Sequence, residues 1–228
     1  MKILTLHPWD VSYPEARAIQ ESLRSKVKSG ALPKRLRFIA GADVSYEKHG
    51  DLFFAGVVVW DMKMLEAVEE RGAVGRVSFP YIPGLLSFRE APILLEAFRA
   101  VTNRVDAVIV DGQGLAHPRG FGIAYHICLL LNKAGAGCAK SLLVGEHGAV
   151  GWRKGDRAAL MFDGYCVGTA LRTRDGIKPV FVSPGHLLSV DAATELVLHC
   201  SIKYRQPEPT RLAHCFVNRL RREGRAHA

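Results

Sequence analysis

The chain has 228 residues, 48% of them hydrophobic, which is enough to bury one sizeable core, and the length favours a single domain over residues 1–228. Lys and Arg number 31 against 22 Asp and Glu, a formal charge of +9. Such a surface suits a polyanion such as nucleic acid, which gains by releasing counterions, although it serves solubility equally well. The five cysteines form no C-x-x-C pair, MKILTLHPWD lacks the apolar stretch of a signal peptide, and no apolar run reaches a membrane span. Zinc, disulfide, secreted and membrane classes are thereby disfavoured, and a cytoplasmic protein is expected.

The spacing of Ala18, Ile19, Leu23 and Val27 predicts a basic amphipathic helix over residues 14–27, ended by Gly30 and Pro33. Strands follow over 36–46, 52–60 and 65–74. Their short polar links, His49-Gly50 and Asp61-Met62-Lys63, make them an antiparallel meander. FPYIPGLLSFRE holds two prolines and a glycine, so it predicts a rigid loop leading into a helix from near Phe88 to about Val101. Residues 107–110 are wholly apolar and end at Asp111, as a strand buried on both faces would, and the helix crossing before it makes that strand parallel. After the DGQGLAHPRG loop, the pattern predicts a helix over 123–131, a glycine turn at GAG, and a strand over 138–144. Two strands between 158 and 171, one near 179–182, and helices over 190–202 and 210–222 complete the chain. A meander, then helix, parallel strand, helix and strand is the order of the ribonuclease H-like fold: an α/β class with a mixed central sheet, three antiparallel strands then parallel strands, flanked by helices.

Three acids stand out. Asp43 in GADVSY lies among apolar neighbours within the first strand, where a carboxylate needs a cation or donors beside it. Asp111 ends the AVIV strand ahead of Gly-Gln-Gly, beside backbone that a ligand can approach closely. Glu90 falls on the first turn of the helix after PYIPG, where a favourable contact with the helix terminus explains it equally well. Singly, each acid has a structural explanation; together they can gather around Mg²⁺, a hard cation that takes oxygen ligands, and phosphodiester hydrolysis is the natural use of such a cluster. Lys140 lies within the apolar run of the 138–144 strand, so it either snorkels to the surface or faces a charged ligand. GAGCAKS is not a phosphate loop, since Ala139 and Ala134 stand where glycines are required. His117 and His214 remain open between proton transfer, metal ligation and an ordinary surface place.

The segments GADVSY, FPYIPGLLSFRE, VDGQGLAHPR, GCAKS, FVSPGH and PEPTRLAH, in this order, resemble the motifs of the endonuclease V family, over nearly the whole chain. The resemblance implies that Asp43, Glu90 and Asp111 hold Mg²⁺, with Mn²⁺ as a substitute, that Lys140 lies near the scissile phosphate, and that His214 stands beside the metal. It implies that Tyr81, held among Pro80, Ile82 and Pro83, is a wedge entering the duplex where a damaged nucleotide is turned out. Gly84, Leu86, Gly112, Gln113, His117 and Ile123 would line the pocket for a flipped hypoxanthine. A stiff aromatic between two prolines can fill the gap left in a base stack. The implied reaction hydrolyses the second phosphodiester bond 3′ to deoxyinosine in double- or single-stranded DNA, leaving a 3′-hydroxyl and a 5′-phosphate, with inosine-containing RNA a further candidate and a monomer the expected form. Two rivals remain: another ribonuclease H-like nuclease, against which the PYIPG wedge argues, and a catalytically silent binder using the basic faces of the first and last helices.

Overall fold

A computed structural model describes residues 1–47 and 51–226, so the turn expected at His49-Gly50 lies outside the described residues. Helix α1 (Tyr13–Arg24) starts where Ser12 donates its backbone N–H to Glu15, a capping box that satisfies an orphan amide, and it stops three residues short of the expected Val27. The meander forms as expected: β1 (Phe38–Tyr46), β2 (Leu52–Asp61) and β3 (Glu66–Arg76) pair antiparallel. Helix α2 (Leu86–Arg99) begins two residues earlier than Phe88. That places Glu90 in the second turn, pointing into the protein, so the helix-terminus explanation for this acid fails. Strand β4 (Ala107–Val110) is parallel to β1, and α3 (Ile123–Leu131) spans the predicted residues.

Strand β5 (Ala134–Ala139) departs from the prediction in position. The GAG segment is part of the strand, and Lys140 stands beyond its end. A Cβ on Gly135 would lie 2.6 Å from the Val108 carbonyl oxygen and one on Gly137 2.4 Å from that of Gly112, so these glycines let β5 lie tight against its neighbours rather than make a turn. The remaining strands, β6 (Glu146–His147), β7 (Arg157–Phe162), β8 (Tyr165–Leu171) and β9 (Val180–Pro184), add an antiparallel half, of which the two-residue β6 was not foreseen. Helices α4 (Val190–Cys200) and α5 (Glu208–Ala226) close the chain. Among the described residues the sheet order is β3-β2-β1-β4-β5-β9-β8-β7-β6, whose first five strands have the ribonuclease H-like arrangement. No described helix is long and apolar enough to cross a membrane.

Apolar residues alternate between the two faces of the meander. Ala55, Val57 and Val59 pack with Leu94 and Phe98 of α2 and Ile127 of α3, while Val58 faces Ala213 and Phe216 of α5. Fully burying each large aliphatic or aromatic side chain contributes roughly 1.5–3 kcal/mol. On the α5 side lies a trough: Gly41, Gly56 and Gly72 come from β1, β2 and β3, and a Cβ on any of them would fall within 2.0–2.6 Å of α5 atoms. Helix α5 therefore rests on strand backbone.

Candidate metal and nucleic-acid site

The contact of α5 with β1 sets the first pair of functional side chains. A Cβ on Gly41 would lie 2.4 Å from the Thr210 amide nitrogen. Two residues along the strand, about 6.6 Å, is Asp43; one turn along the helix, about 6 Å, is His214. The matching rises bring the two together, with His214 Nδ1 2.7 Å from Asp43 Oδ2. Asn218 Nδ2 lies 3.1 Å from His214 Nε2 and also donates to the His214 carbonyl. With Asn218 as donor, His214 Nε2 accepts and its Nδ1–H donates to Asp43.

Asp111 joins them through the parallel ladder. Ala42 partners Val110, and the Asp111 N–H donates to the Ala42 carbonyl at 2.9 Å, so Asp43 and Asp111 take the next step side by side. Lys140 Nζ reaches Asp111 Oδ2 at 2.8 Å, and Gln206 Nε2 lies 3.5 Å from the same oxygen. The lysine therefore does not snorkel away; it ion-pairs at the site. Ligand atoms of Asp43, Asp111 and His214 all lie within 4.8 Å of one another, a spacing that can hold a divalent metal ion.

Glu90 comes from α2, on the opposite face of the sheet from α5. Burial, reinforced by the charges of Asp43 and Asp111, pushes its carboxyl up to about 8, with Arg89 opposing only weakly. Burial likewise raises Asp43, against the lowering influence of His214. Carboxylates crowded until they resist ionisation are the donor set that a divalent cation relieves, so these residues fit the metal that the motifs imply.

Next to this cluster opens a cavity of about 220 Å³. Gly84, Leu86, Gly112, Gln113, His117 and Ile123 all line it, as do Tyr81 and Ile82. Pro80 and Pro83 are exposed and do not line it. His117 is buried, not a surface histidine: burial first, then Arg119, lowers its pKa to about 4, so it is neutral at pH 7. Tyr81 is 65% exposed on a loop whose two ends are fixed. At one end Phe79 packs on Phe88 and accepts a hydrogen bond from Arg89 at 3.1 Å. At the other, the Gly84 carbonyl, at φ 79°, accepts from Gln20 Nε2 at 3.0 Å and from Arg119. The ring is therefore exposed on a loop anchored at both ends.

Sequence reading missed Gln20, Ser141, Arg119 and Gln206, all of which touch the site through long side chains or loop backbone. Arg119 stood within the HPRG segment and Gln206 beside PEPTRLAH, so their neighbourhood was signalled; nothing marked Gln20, which lies on the helical face of α1.

The Endonuclease V family model matches residues 21–215. Endonuclease V of Myxococcus xanthus is 51% identical over 215 residues, covering 94% of this chain and 92% of that protein. The crystal structure of Endonuclease V from Streptomyces avermitilis superposes with a TM-score of 0.90 at 39% identity, covering 98% of this chain and 99% of that one. That of the Ciona intestinalis enzyme in complex with a 24-mer DNA containing an inosine followed by a ribo-adenosine gives 0.80 at 26% identity, over 92% and 98%. With motifs, topology, acid cluster and relatives in agreement, the chain belongs to the endonuclease V family.

Proposed function

We propose that this chain recognises deoxyinosine in double- and single-stranded DNA and hydrolyses the second phosphodiester bond on its 3′ side, leaving a 3′-hydroxyl and a 5′-phosphate. The observation that carries the reading is the adjacency of two features: Asp43, Asp111 and His214, spaced to hold a divalent cation, and a base-sized cavity with an exposed tyrosine at its rim. The cavity is below the roughly 300–1,000 Å³ of drug-sized sites, as a pocket for one planar base should be. The Ciona intestinalis relative, crystallised on inosine-containing DNA, supports the same substrate.

Deamination replaces the amino donor of adenine with a carbonyl acceptor. Helix α2 begins without a side-chain cap and its first-turn residues Leu86 and Ser87 line the cavity, so the positive end of the helix favours that acceptor. Gly112 lets backbone approach the base, and Ile123 and Leu86 supply apolar lining. Tyr81 fills the vacated stack. Asp43, Asp111 and Glu90 would hold Mg²⁺, with Mn²⁺ as a substitute, which would supply Lewis-acid polarisation of the phosphate and charge neutralisation at the leaving oxygen. Lys140, already beside Asp111, places a positive charge where the scissile phosphate docks. His214, oriented by Asn218, holds a proton at Nδ1 against Asp43 and fixes that carboxylate's rotamer. The chain acts as one catalytic unit over residues 1–228, as a monomer in the cytoplasm, and inosine-containing RNA is a second candidate substrate.

The test is a denaturing gel of a labelled duplex carrying one deoxyinosine, beside an inosine-RNA strand, in Mg²⁺, Mn²⁺ and chelator. One nick a nucleotide beyond inosine, lost in chelator, is the expected result. Metal-dependent binding without any nick would instead make the chain a silent binder.

A further inference from the structure

Beyond the end of β5 the chain carrying Lys140 has left the sheet. No backbone–backbone hydrogen bond holds residues 140–143 among those described. Two side chains do so instead. Gln113 Nε2, from the loop after β4, donates to the Ser141 carbonyl at 3.3 Å, and Arg205 Nη2 donates to the Lys140 carbonyl at 2.7 Å.

Arg205 is built into this place. Its Nη2 also donates to the Pro179 carbonyl at 2.8 Å and its Nε to the Lys178 carbonyl at 3.0 Å, while its own carbonyl accepts from Thr173 Oγ1 at 2.6 Å. One planar guanidinium thus ties three segments together: the end of β5, the entry to β9, and the link between α4 and α5. The next residue in that link, Gln206, reaches Asp111. Lysine, with a point charge on a flexible stem, cannot span three carbonyls with the same fixed fork.

We propose that Arg205 is a positioning residue for the cleavage reaction: by clamping the backbone of Lys140 against the α4–α5 link, it holds the ammonium on Asp111, where the phosphate docks. The guanidinium acts through Lys140 and does not itself touch the substrate. A misplacement of about 1 Å at a reacting group lowers rates on the order of a hundredfold, so a clamp of this kind acts on the rate of the bound complex rather than on affinity.

The kinetic arm of the test rests on the nicking reading above; a second arm does not. Arg205→Ala and Arg205→Lys are compared with the unaltered chain in single-turnover cleavage of a deoxyinosine duplex in Mg²⁺, with duplex affinity measured separately in Ca²⁺. Arg205→Ala is expected to slow cleavage tenfold or more, on the order set by such misplacement, and Arg205→Lys to slow it as well, both with affinity within about twofold. In parallel, digestion with a lysine-specific protease, without DNA, follows the bond after Lys140 against the other lysine sites. Arg205→Ala should speed cleavage there selectively; uniform acceleration at all sites would signify a loss of fold and overturn the local clamp.

Full activity of Arg205→Lys would show that only the charge matters and overturn the proposal. So would weakened affinity at an unchanged rate, which makes Arg205 a phosphate contact, or an unaltered cut after Lys140. If the unaltered chain fails to nick inosine duplexes, the functional reading falls, and the protease arm still decides whether the clamp exists.

Discussion

Strand β4 lies between two aspartates whose surroundings differ in kind. At its beginning Asp106 accepts hydrogen bonds from the Arg37 and Phe38 amides, both at 3.0 Å, and from Arg104 at 2.7 Å. Burial alone would raise its carboxyl, but these donors hold it below the ordinary range. Glu69, on β3, is treated likewise: against the effect of burial, Thr102 and Asn103 each donate through backbone and side chain, bringing it down to about 2. At the other end of β4, Asp111 joins Asp43 and Glu90, and there burial and mutual repulsion drive Glu90 up to about 8. Donors surround the first set; in the second, acids crowd one another beside the donors Lys140 and His214. The difference separates carboxylates that hold the fold from carboxylates that the fold crowds together, the set proposed above to take a cation.

Neutralising one acid at each end of β4 should have opposite consequences. Asp111→Asn should lower cleavage on the order of a thousandfold or more without lowering the melting temperature, because it removes repulsion along with a ligand. Asp106→Asn should keep its cleavage rate at a permissive temperature and lose about 1–3 kcal/mol of stability, since its amide cannot satisfy the same donors. Exchange of the two outcomes would erase the distinction.

A pH series sharpens it. Glu90 has a folded pKa above its ordinary 4.5, so its contribution is fully present below pH 4.5 and is lost as pH rises through about 8. Glu69 has a folded pKa below 4.5, so its contribution is present above pH 4.5 and is lost as pH falls toward 2. In chelator, then, melting temperature should decline by several degrees on both sides, and Glu90→Gln should flatten only the alkaline side while Glu69→Gln flattens only the acid one. Added Mg²⁺ should restore the alkaline side in the unaltered protein. The smallest expected effect lies outside both regions: Tyr81→Ala should alter stability by no more than about 0.5 kcal/mol, yet slow duplex cleavage about tenfold and single-strand cleavage less.

Legibility in the sequence followed the range of the interactions. The meander, Asp43 and Asp111 were readable because periodicity and strand ends are local properties. The depth of Glu90 was not, since it depends on where α2 begins; Leu86 precedes the residue at which the apolar pattern starts. Lys140 was placed inside a strand because three closely spaced glycine and alanine residues look like a turn until their neighbours press on them. The contacts of Gln20 and Arg119 were unreadable for a third reason. Their partners lie on Gly84, 64 and 35 residues away, and no pattern along one segment encodes a side chain that crosses to another.

The glycine trough under α5 bears on what moving this centre into another protein would require. The pairing of Asp43 with His214 is measured off from backbone touching backbone at Gly41, with Gly56 and Gly72 extending the seat across two more strands. A graft of the acids, the lysine and the histidine onto a sheet with ordinary side chains under the helix would lift α5 by the thickness of those side chains and separate the pair. The smallest transferable unit therefore includes three residues that have no side chain to contribute.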